Sequence, residues 1–270
     1  EANLENLEYV KSLLRKGAAV SVGLLQLEID LSNERTVLVE SATENNTPAL
    51  MEAARSGNLQ RVKKLIAEGA DPNQLVAGEG TPLMAAAGSG ALPVVKFLLT
   101  QKVDINRVTP GIGTALSAAA RSGALEVLQY LLSQNAQVNL EIPGVGSAFS
   151  VGVSGADMRV IKYLLANGAD INQVINGVGT PLMVSIRNLD LHIIKYLVEQ
   201  GAQINQPIDF VGSPLITAVY KEDIPIVEFL LSNGADLTLK VNGVPLPMEI
   251  AQSKGNPVLI ELLQKAASEK

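Results

Sequence analysis

Apolar side chains in this chain follow a helical spacing that recurs every 33 residues. In each recurrence they occupy positions i, i+3, i+6 and i+7, which lie on one face of an α-helix. The first set is Leu59, Val62, Leu65 and Ile66. The equivalent sets begin at Leu92, Leu125, Met158, Leu191, Ile224 and Pro257. The last set becomes polar at Gln264, so the pattern predicts seven similar helices of which the final one faces solvent at its outer position.

A second helix start precedes each of these faces with the same period. In Thr81-Pro82-Leu83-Met84, the Thr hydroxyl can cap the first free amides, and Pro at the first helical position loses no hydrogen bond. The equivalent starting positions, which follow one another without insertion or deletion, are Pro48, Thr81, Thr114, Ser147, Thr180, Ser213 and Leu246. Each unit is therefore predicted to contain two helices, and the strict recurrence indicates a solenoid of stacked units.

The segments between units carry turn signals. Gly69, Gly168, Gly201 and Gly234 supply the left-handed residue that ends the second helix. An Asn follows at Asn73, Asn106, Asn139, Asn172 and Asn205. Pro-Gly or Asn-Gly then predicts a tight turn with an aliphatic residue, as in Pro110-Gly111-Ile112-Gly113.

These starts, glycine ends and spacing resemble the ankyrin repeat family over residues 47 to about 265. The resemblance implies an all-α solenoid of seven helix-turn-helix units with projecting β-hairpin fingers. Its usual His is replaced by Met51, Met84, Ser117, Ser150, Met183, Ile216 and Glu249, so hydrogen bonds that this His makes between units should be absent. The Pro/Asn-Gly-Val-Gly turns resemble those of bacterial ankyrin proteins, which favours a bacterial source.

We expect one domain over residues 1–270. Residues 1–18 copy the second half of a unit, and we interpret them as an N-terminal half-repeat cap. Residues 19–46 contain an alternating strand over 25–31, a turn over 32–35 and a second strand over 36–39, which predicts an enlarged finger or hairpin insertion. Residues 47–245 form six repeats, and residues 246–270 form a capping repeat with a polar end.

The fourth unit departs from the others because its first helix includes two glycines, Gly152 and Gly155. Each costs about 1 kcal/mol of helix stability against alanine. We interpret this unit either as a weak point or hinge, or as a place where glycine permits close helix contact.

Composition narrows the function classes. A net charge of −6 argues against a nucleic-acid-binding surface over the whole molecule, and no apolar run approaches the roughly 18 residues of a membrane-spanning helix. The chain has no cysteine, which excludes a disulfide framework and a thiolate nucleophile. The single histidine, His192, lies in a slot that other units fill with unrelated residues, so we expect it to face solvent. We therefore expect no catalytic residue, cofactor or metal, and no enzyme.

The resemblance implies that the fingers and the ends of the first helices line a concave binding face. The basic, aromatic and small polar residues at those helix ends are Arg55, Ser89, Arg121, Arg187, Tyr220, Lys221 and Lys254. No acidic residue occupies these slots, and Arg pairs bidentately with carboxylates, so the row would suit an acidic segment of a partner. The alternative is that the cations only stabilise the C-terminal ends of helices.

A second row lies in the fingers, at Ile112, Val145 and Val178, and Phe210 replaces a turn glycine at one tip. These side chains either pack on neighbouring fingers or form an exposed apolar strip, which would mark an interface.

The leading hypothesis is a monomeric, non-enzymatic module that binds a protein or peptide through its concave face and fingers. The alternative is a regulatory or sensing ankyrin domain of a larger bacterial membrane or enzymatic protein, suggested by the half-repeat start at Glu1. The sequence does not identify the compartment: a cytoplasmic protein and, if a signal peptide has been removed, a periplasmic or secreted one both fit it.

Overall fold

The computed structural model describes residues 26–30, 35–39 and 46–268. These residues form two strands and fourteen α-helices. The strands are β1 (Gln26–Asp30) and β2 (Arg35–Val39). The helices are α1 (Asn46–Arg55), α2 (Leu59–Ala67), α3 (Pro82–Gly88), α4 (Leu92–Thr100), α5 (Ala115–Ser122), α6 (Leu125–Ser133), α7 (Ala148–Ser154), α8 (Met158–Ala166), α9 (Pro181–Arg187), α10 (Leu191–Glu199), α11 (Pro214–Lys221), α12 (Ile224–Ser232), α13 (Pro247–Lys254) and α14 (Pro257–Ser268).

The fourteen helices form seven pairs. Within a unit the first helix packs on the second, as α3 does on α4 and α5 does on α6. The first helix of each unit also packs on the first helix of the next, from α1 through α13. Buried side chains of successive units join in one continuous apolar core. Each unit thus buries its apolar surface only by stacking on its neighbours, as expected of a solenoid.

The predicted apolar face of the second helices is too narrow. Its middle positions are fully buried, as Val95 and Leu98 are in α4, whereas its outer positions Leu92 and Leu99 are half-buried. A position between them, represented by Val94, is also fully buried. The same buried position recurs at Val127, Val160, Ile193 and Ile226. A second helix packs on its own first helix and on second helices of neighbouring units, so its buried stripe is wider than one contact would require.

The predicted helix starts are confirmed in the central units. The hydroxyl of Thr81 accepts a hydrogen bond from the backbone N–H of Met84, and Thr114, Ser147, Thr180 and Ser213 cap their helices in the same way. Ser117 returns a bond, because its Oγ accepts from the N–H of Thr114 at 2.8 Å. Helix α1 begins at Asn46, two residues before the expected start at Pro48.

The ends of the second helices are confirmed where glycine was predicted, since Gly69, Gly168, Gly201 and Gly234 all have positive φ. Two units achieve the same turn with Lys102 and Asn135 instead. The fingers differ from the expected β-hairpins. Each is closed by an isolated bridge, as between Thr109 and Gly113, because only two or three residues separate the paired positions.

Strands β1 and β2 pair antiparallel, with Leu27 opposite Leu38 and Asp30 opposite Arg35. They lie where the alternating pattern predicts them. That they form an enlarged finger stays a prediction, and the half-repeat expected over 1–18 lies outside the described residues.

Asparagines link neighbouring units. The side-chain amide of Asn139 donates to the carbonyl of Gly168 at 2.8 Å, and its Oδ1 accepts from the N–H of Asp170 at 2.8 Å. Asn106, Asn172 and Asn205 make the same pair of bonds one unit apart. We call these four residues the asparagine ladder. Ser117 and Ser150 at the missing-His position bond only within their own unit, so the ladder supplies the side-chain bonds that recur between units. Asn188 and Asn256 each add one bond to the preceding unit, to the carbonyl of Ser154 and to Oε2 of Glu222.

A second ladder joins the second helices. The ammonium of Lys96 lies 5.2 Å from the centre of the Tyr130 ring in the next unit, a distance at which cation–π attraction operates. The same contact joins Lys63 to Phe97, Lys162 to Tyr196 and Lys195 to Phe229. The series is interrupted between the third and fourth units, where Gln129 stands in the lysine position before Tyr163.

The glycines of the fourth unit serve close packing. A Cβ on Gly155 would lie 2.6 Å from the carbonyl oxygen of Arg121, and one on Gly152 would lie 3.2 Å from Val160. Gly152 lies within α7, whereas Gly155 directly follows its end, contrary to the expectation that both lie in the helix. At these two positions the chain approaches α8 and α5 at distances that a larger residue would obstruct. This geometry favours the packing interpretation over the hinge.

Candidate functional site

Two clefts lie between the first helices and the fingers, each of about 490 Å³. The first is lined by Arg55, Glu79, Met84, Ala85, Gly88, Ser89, Ile112, Ala118, Arg121 and Ser122. The second is lined by Arg121, Val145, Ser150, Val151, Ser154, Val178, Val184, Arg187 and Asn188. Arg121 lines both, so the clefts adjoin along the stack and together form one groove.

The groove has this shape because arginine occupies one position of the first helix in the first, third and fifth units. Arg55, Arg121 and Arg187 are 66 residues apart, which is two units. The units between them carry Gly88 and Ser154 at the same position. A small residue between two long side chains leaves open space, so each cleft is centred on a unit that lacks arginine.

In the first cleft, the charge of Arg55 is compensated by carboxylates. Arg55 donates from Nη2 to Oε2 of Glu79 at 2.6 Å, and Glu52 lies 3.6 Å from its other nitrogen. The hydrogen bond to Glu79 is the main cause that raises the pKa of Arg55. An incoming carboxylate would have to displace Glu79, so this arginine is poorly placed to bind an anion.

The second cleft carries uncompensated positive charge. Its lining contains two arginines and no acidic residue. Arg121 is exposed, and within the described part of the chain its guanidinium has no ion pair. Arg187 is half-buried and donates from Nη2 to the backbone carbonyl of Val178 in the adjoining finger. Burial lowers the pKa of Arg187, but an arginine stays protonated in proteins, so the cleft keeps both charges.

The finger residues Ile112, Val145 and Val178 are half-buried rather than an exposed strip. Ile112 and Val178 also pack against the apolar core, which supports the packing interpretation. Ile112 contributes to the wall of the first cleft, and the two valines contribute to the second. They give the groove an apolar side.

The remaining candidates lie beyond the two clefts. Tyr220 is 45% exposed, and Lys221 is exposed beside it. Lys254 is paired, because its Nζ lies 3.2 Å from Oε1 of Glu222. The structure thus brings Arg55, Ser89, Ile112 and Arg121 together, and separately Arg121, Val145, Val178 and Arg187.

Phe210 forms a separate feature at a finger tip and is 80% exposed. It takes a φ of +61°, where the equivalent positions in other fingers are glycine. Its ring lies against the next finger, since a Cβ on Gly243 would meet the ring at 2.4 Å. Its backbone N–H donates to the carbonyl of Asn242 at 2.8 Å, which links the two fingers.

Sequence reasoning missed the acidic residues that neutralise some members of the basic row and leave others unpaired. Glu79 neutralises Arg55 from a finger, and Glu222 neutralises Lys254 from the position after α11. The signal for Glu79 was present, because the other fingers carry aliphatic residues in its place. The role of Ser154 as the opening between two arginines follows from the two-unit alternation, which was also visible.

His192 is exposed, as expected, and among the described residues no group of three or more His, Asp or Glu side chains could hold a metal ion. Among those residues, no helix is both long enough and apolar enough to cross a membrane.

Comparison with known proteins agrees with this architecture. A family model described as "Ankyrin repeats (3 copies)" matches residues 50–142 and 150–241. The crystal structure of the human ASB11 ankyrin repeat domain is similar with a TM-score of 0.66 and 26% sequence identity, covering 80% of this chain and 96% of that one. A search of curated proteins finds no match.

Proposed function

Since the chain belongs to the ankyrin repeat family, we propose that it is a non-enzymatic module that binds a protein or peptide partner along the groove of first helices and fingers. Ankyrin repeats generally mediate protein–protein interaction. The single observation that carries the proposal is the pair of adjoining clefts, which are lined by arginines of the first helices and by aliphatic residues of the fingers.

The groove offers a polypeptide both kinds of contact that recognition requires. Half-buried Ile112, Val145 and Val178 provide apolar surface, and Arg121 and Arg187 provide donors that pair with carboxylates. The chain as a whole has a net charge of −6 and repels an acidic partner, so a local positive site directs such a partner to the groove. An acidic segment is therefore the partner that the groove favours.

A steric substitution that leaves the charge unchanged tests whether peptides bind in the groove or elsewhere on the surface. Peptides are selected from a random displayed library on the unmodified chain, and their affinity is then measured for Ser154→Trp, which places a large ring in the second cleft. The matched control is Gln129→Trp, at an exposed position on the second helix α6. We expect Ser154→Trp to abolish binding and Gln129→Trp to preserve it. Selected peptides that bind both variants equally would refute the groove as the binding surface.

A further inference from the structure

The second cleft combines features that the first cleft lacks. Arg121 and Arg187 both line it, no carboxylate does, and Ser154 leaves the space between them open. In the first cleft, Glu79 already occupies the guanidinium of Arg55 at 2.6 Å. Arg55, Arg121 and Arg187 occupy the same repeat position, but only Arg55 has a carboxylate partner within the groove. This difference indicates that the second cleft is arranged to receive a negative group from outside.

We propose that the cleft of the fourth unit binds one acidic side chain of the partner, with its carboxylate seated between Arg121 and Arg187. Arg55 takes no part in this site. The inference rests on the proposed function for one point, that the ligand is a polypeptide, and it adds where the partner's charge is placed.

The two arginines would act differently. Arg187 is half-buried and is held by its bond to the carbonyl of Val178, so its remaining N–H groups are pre-oriented. Arg121 is exposed and is the more adaptable partner. Guanidinium groups bind carboxylates through paired N–H donors, and such charge-assisted bonds are about twice as strong as neutral ones.

The surroundings fit a carboxylate on an otherwise apolar segment. Val145 and Val178 come from two successive fingers, and Val151 and Val184 come from the helices below. An aliphatic residue next to the acidic one would contact these valines. The ligand chemistry is therefore an acidic residue flanked by aliphatic residues.

The repeat itself suggests the perturbation. Ser154→Glu places a carboxylate between the two arginines. There it can pair with them as Glu79 pairs with Arg55. Ser253→Glu makes the same change at the equivalent position of the last unit, which is also exposed, so it controls for net charge and for an acid at a helix C-terminus.

The probe is a fluorescein-labelled peptide with one glutamate between two leucines, compared with its glutamine counterpart by fluorescence anisotropy. We expect the glutamate peptide to bind the unmodified chain at least about tenfold more tightly than the glutamine peptide. Ser154→Glu and Arg121→Gln should each remove that preference, whereas Ser253→Glu should keep it. Urea unfolding of each variant verifies that it is folded.

Two results would overturn the inference. One is an equal affinity of the unmodified chain for the two peptides, and the other is a glutamate preference that survives in Ser154→Glu. Neither result touches the claim that a polypeptide binds along the groove, because the library-selected peptides of the steric test need not be acidic. Conversely, if the selected peptides bind Ser154→Trp as tightly as the unmodified chain, the groove is not the binding surface and the proposed function is wrong.

Discussion

Replacing one rung of the asparagine ladder should loosen the contact between two units without disturbing either unit. Asn139→Ala removes two side-chain hydrogen bonds, one to the carbonyl of Gly168 and one from the N–H of Asp170, both at 2.8 Å. A neutral hydrogen bond contributes a net 0.5–1.5 kcal/mol, so two of them amount to about 1–3 kcal/mol of unfolding free energy. Because the side chain is exposed, water partly replaces the lost bonds and the lower half of that interval is expected.

The chain contains its own control for this substitution. Asn73 occupies the same repeat position, but its side chain makes no corresponding bonds to the next unit. Urea unfolding followed by circular dichroism should therefore show a lower midpoint for Asn139→Ala and an unchanged midpoint for Asn73→Ala. The slope of the transition should stay the same if the whole stack still unfolds as one unit. Equal midpoints for the two variants would refute the idea that the ladder stabilises the stack.

Three further predictions concern other parts of the surface. Gln129→Lys should restore the missing cation–π contact with Tyr163 and raise the unfolding free energy by about 0.5–1 kcal/mol, and an unchanged urea midpoint would contradict this. Phe210→Gly should raise the unfolding free energy by about 1 kcal/mol, because glycine accepts positive φ without strain. A lower melting temperature would show instead that the packing of the ring outweighs the strain. The pKa of Glu222 is lowered mainly by the hydrogen bond from Asn256 and next by Lys254. The ionised carboxylate therefore stabilises the fold above its unfolded pKa of roughly 4.3. This stability is lost as the pH falls through the lower folded pKa. Glu222→Gln should reduce the loss of melting temperature between pH 5 and 3, and an identical acid profile would contradict this.

The helical architecture could be predicted because it repeats local chemistry. Thr81 and its equivalents cap helices through bonds that span three residues, and such bonds depend little on the rest of the chain. The 33-residue period then fixed which helices are neighbours. The buried position at Val94 was missed because a helix that packs on three others buries a wider stripe than its own periodicity indicates.

The site could be predicted only in part, because charge compensation acts between residues distant in sequence. The basic row was visible from the repeats, yet Arg55 and Glu79 are 24 residues apart and meet only when a finger folds over the preceding helix. The same holds for Lys254 and Glu222. Sequence position therefore identified the groove, whereas the distinction between a neutralised and a free arginine required three-dimensional contacts.

The central claim, that a partner binds along the first helices and fingers, is tested most directly by NMR chemical-shift mapping. A selected peptide is titrated into ¹⁵N-labelled protein, and the shifted amides are located in the structure. The account predicts that shifts concentrate in α5, α7 and α9 and in the fingers that carry Val145 and Val178. Shifts concentrated instead on the second helices α6, α8 and α10, with the groove unaffected, would contradict it.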